Sequence, residues 1–237
     1  MKQKNPIWSA FLAAFPCTIP VLTGYAFLGM ALGIYMSVAG FSVWLTLLMG
    51  LAIYAGSLEF LAVSILVAPY APLQTFIVSL MLQARHLFYG ITLLEKYKDS
   101  GWKKPYLIHA ITDETFSINC TAEVPEHVDR VWFYFFTSLL DHSYWVIASI
   151  IGGVLGNLIP FNSEGLDFVM TAMFVVIMLE QWLKDDDHSS AWIGLIASVG
   201  CLMIFGPDNF LIPTMICILA ALTVLRKIKT KEAGDIK

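Results

Sequence analysis

Charge is scarce in this chain. Of its 237 residues 14% are charged, 14 Lys or Arg against 18 Asp or Glu, where a soluble domain carries about 25%. Apolar residues make up 58% and the mean hydropathy is +0.72. A chain this apolar does not cover itself with polar surface in water, which excludes an ordinary soluble domain. Basic runs are missing as well: the formal net charge is −4, and no nucleic-acid partner is expected. No glycine loop cradles phosphate, and no GxSxG, HExxH or paired-aspartate helix motif occurs, so the chemistry of an intramembrane enzyme has no residues to rest on. Cysteine is limited to Cys17, Cys120, Cys201 and Cys217. They form no CxxC and no Cys/His pairing, and they read as small apolar fillers with neither metal, cofactor nor disulfide to serve.

What the chain does have is long apolar runs. A hydrocarbon core of about 30 Å takes about 20 residues of helix. Spans are expected over 19–37, 43–67, 72–94, 132–156, 166–183, 190–206 and 209–226. The fold class is therefore all-α: a polytopic membrane helix bundle of about seven transmembrane helices in one domain, 1–237. An apolar piece over 6–17 precedes the first span as a half-helix or interfacial segment. Lys2 and Lys4 ahead of it give the look of a secretory signal, but no small-x-small site ends the run, and we expect it to be retained. Gly40, Pro69, Pro72, Pro160 and the Gly206-Pro207-Asp208-Asn209 turn punctuate short joints, which make neighbouring helices antiparallel. Residues 104–122 are too polar to span alone and too apolar for a loop. A re-entrant or cytoplasm-facing amphipathic helix fits them, with a helix cap at Thr112 or Asp113 as the plainer reading.

Orientation follows from Lys and Arg. Lys96, Lys98, Lys103, Lys104 and Arg130 lie between the third and fourth spans, and Arg226, Lys227, Lys229, Lys231 and Lys237 lie at the C-terminus. Seven spans put both groups on one side, which the rule makes cytoplasmic; Lys2 and Lys4 disagree. The halves 19–124 and 132–226 also follow one plan. Each has a glycine-rich helix, then a helix carrying Leu-Glu (Leu58-Glu59 and Leu179-Glu180). Three-span repeats are necessarily inverted, the architecture of secondary transporters, although glycine-rich packing helices give the same pattern in other membrane bundles.

Ionisable groups inside the spans cost several kcal/mol unless paired or hydrated. Arg85 lies roughly 3 Å from the centre of its span, too deep for its side chain to reach the interface. It faces the bundle interior, either as a fixed counter-ion or as the holder of an anionic substrate group, which its planar fork suits. Glu59, on the neighbouring antiparallel helix, stands roughly 6–9 Å from it along the normal. That gap fits one amino-acid backbone, carboxylate toward Arg85 and ammonium toward Glu59, with Gly56 and Ser57 unwound to offer backbone groups. The plainer reading pairs Glu59 with Arg85 or leaves it protonated among apolar neighbours. His86, Asp113, Glu114 and Glu59 are the candidates for proton coupling or gating, since each titrates and Arg85 does not. For His86 a satisfied buried histidine is an equal reading. Asp141, His142 and Glu180 are further border candidates, and Asp185-Asp186-Asp187-His188 reads as a solvated loop.

Three motifs then carry a resemblance. Tyr54-Ala55-Gly56-Ser57-Leu58-Glu59-Phe60, Ala84-Arg85-His86-Leu87-Phe88-Tyr89-Gly90 and Thr112-Asp113-Glu114-Thr115-Phe116 occur in the order and spacing of the AzlC (azaleucine-resistance) family. Its members are large subunits of branched-chain amino-acid exporters, and the Gly24…Phe27…Gly29 stretch also resembles the family's first helix. Two positions depart from the family pattern: Glu59 stands where Gln is usual, and Gln83 where Asn is. The resemblance implies a multi-pass exporter of apolar amino acids in the bacterial cytoplasmic membrane, driven by protons and working with a small AzlD-like membrane subunit. Gly29/Gly33 and Gly152/Gly156 are candidate docking faces for that subunit. The competing readings are a scaffold or assembly subunit whose partner carries the flux, a diffusive channel, and an exporter of another amino-acid-like metabolite.

Overall fold

The computed structural model describes residues 6–158, 188–206 and 210–234, with single positions between 172 and 183. Most of the expected span over 166–183, Glu180, the run Asp185-Asp186-Asp187 and the turn residues 207–209 lie outside the described residues. Two compact units divide the chain, residues 1–170 and 171–237. Among the described residues every regular element is helical.

In the first unit, α1 (Pro6–Val38) is one continuous helix of 33 residues, about 50 Å long. The apolar piece over 6–17 is therefore no separate half-helix. Pro16 and Pro20 sit inside α1 without ending it, as prolines do in apolar surroundings where neighbouring helices stabilise the freed backbone. The span expected over 43–67 is two helices, α2 (Val43–Ala52) and α3 (Gly56–Val67). α4 runs Pro72–Leu93. The polar segment forms two short helices joined by a turn, α5 (Lys104–His109) and α6 (Asp113–Thr121). Thr112 caps α6, its hydroxyl accepting from the Thr115 N–H, so the plainer reading of that segment holds locally. α7 covers Arg130–Leu158. In the second unit α8 (Ser189–Phe205) packs on α9 (Leu211–Gly234), where the Cys201 and Cys217 sulfurs approach to 4.0 Å. Only α1, α4 and α7 among the described helices are long and apolar enough to cross a membrane; α2, α3, α8 and the Ile216–Leu225 stretch are shorter.

The α1–α7 pair is the most extensive contact in the first unit. Lipid tails are as apolar as leucine, so helices in a bilayer associate through close packing rather than hydrophobic exclusion. Here small residues permit it. A Cβ on Gly33 would fall on the backbone of Ser149 and Gly153, and one on Gly152 on the backbone of Met30. These glycines are thus taken up inside the chain, which corrects their reading as docking faces for a second subunit. At one end of the pair Ala10, Ala14, Leu93, Tyr97, Leu107 and Phe133 form an apolar core.

Two of the lysines that set the expected orientation also have structural partners. Lys96 Nζ donates to the Asn119 and Cys120 carbonyls, 2.9 Å each, at the end of α6, where a cation offsets the helix dipole. Buried Lys103 lies 3.9 Å from the Trp132 ring centroid and 5.2 Å from that of Trp102.

Gly33→Ala should lower the melting temperature of the detergent-solubilised protein, by overpacking worth about 1–3 kcal/mol. Gly24→Ala, whose new methyl meets nothing within 4 Å, should leave it unchanged. Fluorescence-detected size exclusion after heating compares the two, and equal losses would remove the close packing from the account.

Candidate functional site at two helix breaks

The chain leaves helix at Ile53–Ala55 and again at Ala110–Thr112, and the sequence motifs gather around these two breaks. At the first, Tyr54 takes a left-handed backbone with φ 43°, a conformation that costs a bulky residue about 1–3 kcal/mol. It is held there by burial and by stacking on the His142 ring at 4.1 Å. Gly56, the first residue of α3, has no room for a side chain: its Cβ would stand 2.8 Å from Trp145 Cη2. The unwound residues are thus 53–55, while Gly56 and Ser57 open the next helix.

A broken helix exposes carbonyls on one side and N–H groups on the other. Three side chains take them up. His142 Nε2 donates to the Gly50 carbonyl at 3.0 Å, and His109 Nε2 to the Leu51 carbonyl at 3.1 Å. With Nε2 as donor, a neutral His142 presents Nδ1 as acceptor, and the Tyr106 hydroxyl lies 3.1 Å from it. On the far side Glu59 Oε1 accepts from the Ala55 N–H at 3.1 Å and from Trp145 Nε1 at 3.0 Å. Glu59 is fully buried, and its Oε2 has no protein partner. A carboxyl here takes up the N–H of the cap residue that opens α3, set against the positive end of that helix.

Arg85 joins the two breaks. Its Nη1 lies 2.9 Å from Asp113 Oδ2, in the first turn of α6, and its Nη2 is 3.4 Å from Ser57 Oγ, in the first turn of α3. The pair is half-buried, at 31% and 35% side-chain exposure, and it is not a full fork: Arg85 Nε and Asp113 Oδ1 are buried without partners. Beside it Tyr89 stacks on Phe116 at 4.3 Å and His86 meets Tyr89 edge-on at 5.6 Å, with His86 Nδ1 unpartnered. Glu114 points elsewhere and accepts from the Tyr25 hydroxyl at 2.7 Å. Thr115 donates to buried Asp141 at 2.8 Å.

Ser57, Arg85 and Asp113 are therefore brought into direct contact, with His86 alongside. Glu59 and Glu114 face other partners, and the ion pair that forms is Arg85–Asp113 rather than Arg85–Glu59. Tyr54 and Thr115, quoted in the motifs but given no role, and Tyr25 and Trp145, not singled out, also lie at this locus. Tyr25 is adjacent to Gly24 in the first-helix stretch, the one signal that pointed toward it.

The family model described as "AzlC protein" matches residues 20–159, a stretch that contains every contact just described. The chain belongs to the AzlC family. It is 52% identical to the branched-chain amino acid transport protein AzlC of Bacillus subtilis strain 168, across 96% of this chain and 89% of that protein. An uncharacterized membrane protein of Haemophilus influenzae is 45% identical across 97% and 95% of the two chains. Inner membrane protein YgaZ of Escherichia coli K12 is 24% identical across 83% and 84%. No solved structure matches. Within the AzlC family frame this protein is a membrane protein, and its three motifs correspond to one structural locus.

Glu59→Gln keeps the acceptor for Ala55 and Trp145, so its melting temperature should match wild type. Glu59→Leu strands two buried donors at about 1–3 kcal/mol each and should melt well below it. Equal melting of both variants would show that Glu59 does not seal the break.

Proposed function

We propose that this protein is a secondary transporter that exports branched-chain or similarly apolar amino acids across the bacterial cytoplasmic membrane. In this reading the substrate carboxylate binds where the two helix breaks meet at Arg85. The observation that carries it is the convergence of the first turns of α3 and α6 on one arginine. The opening N–H groups of a helix have no intrahelical acceptor. Together with the helix dipole they form an anion site, and discontinuous helices of this kind hold substrate in transporters. Arg85 Nε remains free to complete a planar two-point contact with a carboxylate. The printed name of the Bacillus subtilis relative, a branched-chain amino acid transport protein, supports the substrate class.

Asp113 is then the resting counter-ion that the substrate carboxylate displaces or joins. Gly56 contributes the close approach, Ser57 the hydroxyl, and Glu59 the seal of the break, with its second oxygen turned away from that seal as the acceptor for the substrate ammonium. His86, Asp113, Glu59 and Glu114 remain the groups through which a proton gradient drives export. A small AzlD-like subunit and a cytoplasmic C-terminus complete the reading.

Arg85→Ala should reduce leucine export from cells by about thirtyfold or more, the cost of a lost charged contact of 2–5 kcal/mol, while the protein still inserts at wild-type levels. The exchange Arg85→Asp with Asp113→Arg separates substrate binding from a merely structural pair. It should restore melting temperature but not leucine export. Export restored by the exchange would make the pair a structural lock and exclude Arg85 from substrate binding.

A further inference from the structure

A chain of hydroxyls runs between two carboxyl groups at the second helix break. Glu114 Oε2 lies 2.7 Å from the Tyr25 hydroxyl, Tyr25 2.8 Å from Thr112 Oγ1, Thr112 3.2 Å from Thr115 Oγ1, and Thr115 2.8 Å from Asp141 Oδ2. These are four oxygen–oxygen contacts with three hydroxyl hydrogens between them. If both carboxyls are ionised, one contact sets two acceptors face to face. One added proton, on either acid, supplies a hydrogen to every contact.

Among the described residues no cation pairs with either acid. The ion pairs among the described residues are Arg85–Asp113 and Lys98–Glu95, and Asp141 is fully buried. The titratable groups that face the chain are phenols, acids and imidazoles. They are Tyr54 from the first break, Tyr89 from α4 and Tyr106 from α5, with His142 of α7 against Tyr54 and Tyr106 and Arg85 of α4 paired to Asp113. A buried carboxylate without a cation is strongly disfavoured.

We propose that Glu114, Tyr25, Thr112, Thr115 and Asp141 form one proton-binding site that holds a single shared proton, and that this is the proton coupled to transport. The coupling half of the statement rests on the transport reading above; the shared proton does not. When the proton lies on Asp141, each hydroxyl donates toward Glu114. When it lies on Glu114, each donates toward Asp141. Passage between the two orders breaks one O–H bond and forms another at each hydroxyl, so the three hydroxyls are unchanged and the proton lost by one acid appears on the other. Glu114 is half-buried and Asp141 fully so, which makes Glu114 the end that exchanges with water. Coupling needs a group whose proton is available in one transporter state and not in another, and a chain assembled from α1, α6 and α7 is broken by any movement of α6 against the α1–α7 pair.

The test is infrared spectroscopy of the purified full-length protein in lipid vesicles, read at the carbonyl stretch of protonated carboxyls. Asp141→Asn and Glu114→Gln each bring in an N–H that supplies the missing hydrogen. Each should delete the same single band, and the double variant should delete no more. Tyr25→Phe, which keeps the ring against Trp145 (5.2 Å, edge-on), should displace that band and serves if an amide variant fails to fold. An Asp141 band untouched by both Glu114→Gln and Tyr25→Phe overturns the shared proton, as do two independent bands that add in the double variant. In proteoliposomes that carry this protein together with its small partner subunit, Asp141→Asn should keep leucine–leucine exchange and lose leucine-driven proton uptake by about a hundredfold. Undiminished uptake overturns the coupling. Absence of leucine flux from wild type, with the shared band present, defeats the amino-acid reading and leaves the proton site standing.

Discussion

A buried peptide group has no water to satisfy it, so each interruption of a packed helix must be closed by the protein itself. That constraint organises the first unit of this molecule. The breaks at 53–55 and 110–112 release carbonyl and N–H groups. The residues drawn in to meet them are the polar ones that an apolar bundle otherwise excludes: His109 and His142 on the carbonyls, Glu59 on the Ala55 N–H, Thr112 on the start of α6. The polar site is the consequence of the breaks. Arg85 lies against both of them because two helix starts, each with an acid or hydroxyl in its first turn, meet there.

Close packing of α1 on α7 supplies the frame. Because Gly33 and Gly152 let the two backbones touch, Tyr25 on α1 comes edge-on to Trp145 on α7. Trp145 in turn fixes Glu59 and leaves room only for glycine at position 56. Tyr25 also reaches Thr112 and Glu114. One tyrosine thus connects the scaffold pair to both breaks, so a change in α1–α7 packing is transmitted to the site through aromatic contacts and hydroxyls rather than through a flexible loop.

Much of this was legible beforehand. The depth of Arg85 and Glu59 called for an interior polar locus, and Arg85 does meet Ser57 there, but the acid beside it is Asp113, read in sequence as a gating group, and not Glu59. The helix break itself was harder to place. Ile53-Tyr54-Ala55 contains no glycine, proline or asparagine, so no turn rule points to it, and the left-handed Tyr54 depends on the distant His142 ring. Residues 6–17 misled in the opposite sense, since they read as a separate half-helix or interfacial segment where one helix runs on through Pro16 and Pro20. Trp145 and Tyr25 look like ordinary apolar filling in sequence, and only the contacts across 86 to 89 positions reveal their hydrogen bonds. Lys96 and Lys103 were legible as topological charges but not as a helix cap and a cation between indoles.

In the transport reading an amino-acid carboxylate binds at the junction of the two breaks, against Arg85. Solid-state NMR on the lipid-embedded protein, with leucine labelled at its carboxyl carbon and arginine at its guanidinium nitrogens, measures that contact directly. Bound leucine should show a dipolar coupling from its carboxyl to the Arg85 guanidinium at contact distance, about 4 Å, which disappears in Arg85→Lys. Bound leucine that shows no coupling to Arg85, while the Arg85–Asp113 pair stays closed, would contradict it.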